Sequence, residues 1–174
     1  MRATDLLMEE HLLIERALRM LVSLAERGKA GPEVASVLSF LSEFADGHHH
    51  AKEEKILFPA MEEAGFPSDD GPVAVMLHEH DMGRSLIGRL RELSQLDSDA
   101  ARAGFRDAAT QYAELLRQHI HKENEVLFRL ADRAIEGPER RRVEEEFDAY
   151  ESGAQKVRSK HQQELEKVER ALQV

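Results

Sequence analysis

Two stretches of the chain carry the same arrangement of side chains able to ligate a metal. HHHAKEEKILFP (48–59) and HIHKENEVLF (119–128) share the skeleton His-x-x-Lys-Glu-x-x-aliphatic-Leu-Phe, with His49 matching His119 and Glu53 matching Glu123. Each contains an HxxxE pair. Residues four apart on a helix lie on one face about one turn from each other, so the imidazole and the carboxylate can reach one point. Two such helices facing each other bring two His and two Glu together.

The elements that must position them follow from apolar periodicity. Thr4 or Asp5 caps a first helix to about Arg27, with Leu7, His11, Ile14, Leu18, Leu21 and Ala25 on one stripe, so His11 points where the leucines point. Gly28 and Gly31-Pro32 mark a break, and Pro32 opens a second helix that places His49 and Ile56 on its core face and is kinked or ended by Pro59. The loop GFPSDDGP (65–72) precedes a third helix carrying Val73, His80, Ile87 and Leu90, from which His78 points away into solvent. After a turn at Asp97-Ser98-Asp99, a fourth helix aligns Phe105, Ala109, Tyr112, Leu116, His119 and Glu123, and Gly137-Pro138 stops it. A fifth stripe includes Phe147, Tyr150, His161, Leu165 and Leu172. It is too polar elsewhere to be central, so this helix packs outside the bundle or pairs with a second subunit as a homodimer.

The expected fold is therefore all-α: an up-down-up-down four-helix bundle over about 4–136 with an additional C-terminal helix over about 138–173, in one domain spanning 1–174. With 34 acidic against 24 basic residues the net charge is -10, which repels phosphate backbones and argues against nucleic acid as a partner. No apolar stretch reaches membrane-spanning length and no basic N-terminal region precedes an apolar run, so the chain is expected in the cytoplasm. There is no Cys, hence neither a disulfide framework nor a thiolate ligand.

Each of the four bundle helices sends one imidazole inward, His11, His49, His80 and His119, and two add a carboxylate, Glu53 and Glu123. Burying two unpaired carboxylates would cost several kcal/mol each. A pair of divalent or trivalent cations removes that cost, with the two Glu bridging, and imidazole with carboxylate suits iron, manganese or zinc. A lone His on an apolar stripe is more often a hydrogen-bonded core residue; four helices showing it together favour a metal. His50 and Glu54 also fit HxxxE, but Ile120 and Asn124 stand at the matching places, so His48, His50 and His121 are read as solvated or behind the ligands. Glu15, four after His11, is a weaker oxygen ligand, and Tyr112 and His161 are candidates to contact the site. Arg84, one turn past His80, could balance a carboxylate, but solvation is the favoured reading. Ligating imidazoles must be neutral, so metal retention should weaken below roughly pH 5 to 6.

The order His, HxxxE, His, HxxxE, with KEEKILFP after the second His, EHDMGR around the third and HKENEVLF after the fourth, resembles the hemerythrin-like, or HHE cation-binding, family over about residues 5–135. The resemblance implies a four-helix bundle around an oxo- or hydroxo-bridged pair of Fe ions, with His11, His49, His80 and His119 as terminal ligands and Glu53 and Glu123 as bridges. Zinc or manganese is less expected. The tail looks like the extra helix of some bacterial members. Oxygen-carrying hemerythrins have HxxxH on the third helix and HxxxxD on the fourth; here Met76 and Arg84 flank His80 at four residues and Asn124 stands five after His119. Fewer imidazoles would leave more open positions, which argues against stable, reversible oxygen carriage.

The leading expectation is a di-iron protein that binds or reduces a small diatomic or peroxide ligand (oxygen, peroxide or nitric oxide) in sensing or stress protection. An iron-binding or iron-sensing module without turnover is the second. The third is iron-sulfur cluster repair, whose di-iron proteins generally add a Cys-bearing N-terminal domain where this chain has ten residues before His11.

Overall fold

Chain-long apolar stripes fold into five helices in the computed structural model, which describes residues 1–28 and 30–172; no strand occurs among them. Helix α1 is Ala3–Glu26. Its cap differs from the expectation: Arg2 precedes the first turn, and Asp5, inside that turn, accepts from the Arg2 backbone N–H at 3.3 Å. Thr4 instead donates to Asp132 at 2.8 Å, tying the start of α1 to the far end of the fourth helix. Helix α2 covers 32–63 without interruption, opening with Pro32 and passing through two wide, π-type segments, Leu41–His50 and Glu53–Leu57. Pro59 therefore does not end it. The helix carries on as Phe58–Glu63, because a proline in a first turn forfeits only a hydrogen bond that the wide turn before it has already displaced.

Helix α3 is Gly71–Ser94, capped by Asp70 accepting from Gly71 N–H at 2.7 Å. Helix α4 covers 99–134, starts under the Ser98 cap and has its own wide turn at Glu123–Leu127. The wide turn after Glu53 thus has a counterpart after Glu123, where there is no proline, so it belongs to the repeat and not to Pro59. The four helices form a ring in which α1 packs on α2 and α4, and α3 on α2 and α4, in the up-down-up-down order. Helix α5, Gly137–Leu172, lies outside against α1 and α2, burying Val143, Phe147, His161, Leu165, Val168 and Leu172; its predicted end at 173 lies outside the described residues.

The interior is not one core. An apolar cluster built on Ile14, Leu18, Phe40, Phe44, Leu90, Phe105 and Leu116 fills one end, and a second, built on Leu7, Leu57, Phe58, Val73, Phe128 and Phe147, fills the other. Between them lies a layer of buried His, Glu and Lys side chains. No helix among the described residues is long and apolar enough to cross a membrane.

Candidate metal centre

Glu53 and Glu123 lie at the middle of that polar layer, each fully buried and each at the start of a wide helical turn. Such turns take one residue more than an α-turn and recur at functional sites. Glu53 sets one oxygen 3.5 Å from His49 Nε2 and the other 3.4 Å from His80 Nε2. Glu123 sets one oxygen 3.1 Å from His11 Nε2 and the other 3.2 Å from His119 Nε2. The imidazoles pair accordingly, with Nε2 atoms 3.1 Å apart for His11 and His49 and 3.2 Å apart for His80 and His119. All six residues singled out from the sequence thus converge, and each carboxylate is shared between two histidine groups.

The far nitrogen of every one of these rings is held. His49 Nδ1 donates to Glu10 at 2.8 Å, His80 Nδ1 to Glu54 at 2.7 Å, His119 Nδ1 to Glu79 at 3.0 Å and His11 Nδ1 to the Asn124 carbonyl at 2.8 Å. An ionised carboxylate only accepts, so the proton sits on Nδ1 and the Nε2 lone pairs face the interior. The supports repeat as the ligands do. Glu10 precedes His11 and Glu79 precedes His80; Glu54 follows Glu53 and Asn124 follows Glu123. Lys52 and Lys122 pair with Glu10 and Glu79 respectively. Sequence reasoning passed over these supports, although the signal was present in the duplicated Glu-His dipeptide and in the lysine common to both motifs.

Two readings are corrected, those of His50 and Arg84. His50 is not solvated: it is 4% exposed, stacks on His80 at 3.8 Å between ring centroids, and forms with Glu53, His80 and His119 a group whose ligand atoms lie within 4.8 Å of one another. The companion group is His11, His49, Glu53 and Glu123. His50 comes inward because the wide segment Leu41–His50 changes the angular step of the helix, so an ideal 3.6-residue wheel misplaces it. It restores the imidazole missing from α3, where Met76 stands. His48 stands behind the ligands, the second of its two readings: it is buried, with Nε2 2.9 Å from Glu151 of α5 and 3.3 Å from Glu10, beside a fully buried Lys52 held at 2.5 Å by both carboxylates. Arg84, partly exposed, clamps Glu54 at 2.6 Å and Asp46 at 2.9 Å. His78 and His121 are exposed as read. Glu15 stays outside, near Arg19, and His161 is buried 3.2 Å from Glu43, in neither group. Tyr112 is buried but joins neither group.

The donor set fits a pair of cations. All four oxygens of Glu53 and Glu123, and Nε2 of His50, are buried without a hydrogen bond, a condition that native proteins rarely leave uncompensated. Paired Nε2 lone pairs near 3 Å repel unless a positive charge lies between them. Protons can supply part of that charge. Burial disfavours a charged His119, yet the Glu123 carboxylate outweighs it and carries the imidazole up to about 10. His11 and His80 are raised against burial by Glu123 and Glu53 respectively, and Glu123 is held far below the usual carboxylate range. Burial and the neighbouring imidazoles push His50 down. The layer is an anionic trap for positive charge, and imidazole with carboxylate, free of thiolate, suits iron, manganese or zinc.

The family described as hemerythrin HHE cation binding domain matches residues 2–131. The iron-sulfur cluster repair protein DnrN of Neisseria gonorrhoeae is 35% identical over 85 residues, 46% of this chain and 54% of that protein. The iron-sulfur cluster repair protein YtfE of Dickeya chrysanthemi (strain Ech1591) is 34% identical over 94 residues, 51% of this chain and 41% of that protein. The chain thus spans about half the length of these curated relatives. No solved structure matches it.

Proposed function

The chain belongs to the hemerythrin HHE cation-binding domain family, and from that premise we propose that it holds two iron ions and uses them to bind or reduce a small oxidant, dioxygen, peroxide or nitric oxide, in sensing or stress protection in the cytoplasm. His11 and His49 would hold one ion, His50, His80 and His119 the other, and Glu53 and Glu123 would bridge them. The observation that carries this reading is the splitting of each buried carboxylate between two imidazole groups, with no other partner for its oxygens. Two irons held this close supply one-electron redox chemistry and Lewis acidity. The chain's own residues do the rest. Glu10, Glu54, Glu79 and Asn124 fix the tautomer and direction of the four paired imidazoles, Lys52 and Lys122 neutralise Glu10 and Glu79, and the two apolar clusters exclude water above and below. With five imidazoles instead of four, the side containing His50 has less room for water than the sequence suggested.

Metal analysis with a visible spectrum, followed by stopped-flow mixing of the diferrous protein with each oxidant, tests the proposal. Two irons per chain and a spectral change with at least one oxidant are expected. No change with any of them ends it.

The names of the relatives favour a second reading, in which the bound iron is delivered to damaged iron-sulfur clusters. Without Cys this chain has no thiolate to receive iron, so transfer would start from the His and Glu cage itself. Incubating the diferrous protein with a cluster-depleted dehydratase separates the readings: restored dehydratase activity with loss of iron from this protein supports repair, and retained iron supports oxidant chemistry. A metal-binding module without turnover would also retain its iron, and is set apart by showing no spectral change with any oxidant.

A further inference from the structure

The two halves of the bundle repeat the ligands and their supports, and they differ together at four places. Alignment of the HxxxE stretches sets Asp46 against Leu116, His50 against Ile120 and Glu54 against Asn124; alignment of His11 with His80 sets Glu15 against Arg84. In the half built from α2 and α3 the four residues form one connected unit. Arg84 Nε donates to Asp46 Oδ1 at 2.9 Å, and that same oxygen accepts from His50 Nδ1 at 3.4 Å. Arg84 Nη2 donates to Glu54 Oε1 at 2.6 Å, and that same oxygen accepts from His80 Nδ1 at 2.7 Å. A single guanidinium therefore stands one carboxylate away from each of two imidazoles, whose stacked planes are 14° apart. In the other half Leu116 and Ile120 are buried apolar residues, and Glu15 stands outside the layer near Arg19.

Charge balance alone does not account for this unit. Arg84, Asp46 and Glu54 are 38%, 32% and 26% exposed, and ion pairs so open to water contribute little to stability. What the guanidinium supplies is direction. Its planar fork holds two carboxylates at fixed angles, which the point charge of a lysine cannot do. Each carboxylate accepts from Nδ1, which keeps the proton there and leaves the lone pair on Nε2. For His50 that lone pair is buried and without a hydrogen bond.

We propose that Arg84 is a positioning residue for the centre, acting through Asp46 to make His50 a metal ligand and through Glu54 to orient His80. The inference rests on the di-metal reading and adds the means by which one half of the repeat gains an imidazole that the other half lacks.

The test uses the full-length protein in two loaded forms. With zinc, which is diamagnetic, nitrogen-15 NMR of the imidazoles reads which ring nitrogens are metal-bound and which are protonated; His50→Ile assigns the His50 ring. With iron, loss of each ion to a chelator is timed. Wild type should show five rings with a zinc-bound Nε2 and a protonated Nδ1, His50 among them. Arg84→Gln and Asp46→Leu, the latter copying Leu116, should each free the His50 ring from zinc. Arg84→Gln should speed the loss of one iron about tenfold and leave the other within about twofold. Asp46→Leu should have a smaller effect, because Glu54 still holds His80, and Arg84→Lys should fall between Arg84→Gln and wild type. Asp81→Asn, which removes a 76% exposed third carboxylate from Arg84, should match wild type. A His50 ring still bound to zinc in Arg84→Gln overturns the proposal, however much that variant loses in metal-free stability. A zinc-loaded wild type whose His50 ring is free overturns it too and leaves the di-metal reading standing. A wild type that takes up neither metal overturns both. If Arg84→Gln fails to fold, Arg84→Lys and Asp46→Leu decide by the same two readouts.

Discussion

Glu151 places a carboxylate oxygen 2.5 Å from the ammonium of Lys52, which is fully buried one residue before Glu53. Lys52 is held on its other side by Glu10, whose second oxygen accepts from His49 Nδ1. Helix α5, outside the stretch matched to the family, thereby reaches the candidate centre through two ionic contacts and one hydrogen bond.

Replacing Glu151 with Gln should destabilise the protein by about 1–3 kcal/mol, because it leaves a buried ammonium with one carboxylate where there were two. The pH dependence has a definite sign. Burial alone would raise the Glu151 carboxyl, but His48 and Lys52 outweigh it and hold it at about 2. Its unfolded value is near about 4.3, so the stabilisation is present in full above that value and is lost as pH falls toward 2. Urea unfolding of wild type and Glu151→Gln should therefore differ most above pH 4.5 and converge on acidification; a gap that widens toward low pH would contradict this.

Glu53→Gln/Glu123→Gln should separate metal binding from folding. In the metal-free chain at pH 8 the change should cost about 3 kcal/mol, since the Glu123 carboxylate there holds a charged His119 and its removal leaves a buried imidazolium without its partner. With metal present, the wild type should gain about 4 kcal/mol at a free concentration 1,000-fold above Kd, and the double variant should gain nothing. Thermal melts with and without chelator read both quantities.

His50→Ile makes the first motif match the second, which has Ile120 at that place. Iron on the His80 side should then bind about 10–100-fold more weakly while the His11 side is little changed. Chelator-driven iron loss, monophasic or nearly so in wild type, should become clearly biphasic with one iron in each phase. A uniform slowing or quickening of both irons would remove His50 from the site.

Asn124→Leu deletes the acceptor for His11 Nδ1 and should weaken metal binding about 10–100-fold, the usual effect of losing such a support. Asn124→Asp should keep affinity and lower the reduction potential, because a carboxylate makes the ring a stronger donor. Spectroelectrochemistry distinguishes this from simple loss of packing, which would shift both variants alike.

The stripes of α1 to α4 were legible because apolar residues recur with helical period, and His11, His49, His80 and His119 were legible because each interrupts such a stripe. Glu10 and Lys52 were not, since a charged residue beside an apolar stripe is by default assigned to water; only the three-dimensional closure of α5 over α2 removes Lys52 from solvent. His50 was misplaced for a different reason. An ideal wheel turns by a fixed angle per residue, and the wide turns of Leu41–His50 break that step without any proline or glycine pair to announce it. Arg84 was read from α3 alone, whereas its partners Glu54 and Asp46 lie on α2.

The two apolar clusters meet only across the charged layer. In most small domains a continuous hydrophobic interior makes the whole chain melt as a unit; here that continuity is ionic. Cations in the layer would weld the two ends into one cooperative block, and stripping them would let each end open at its own free energy, visible in amide hydrogen exchange as two protection classes where the loaded protein has one.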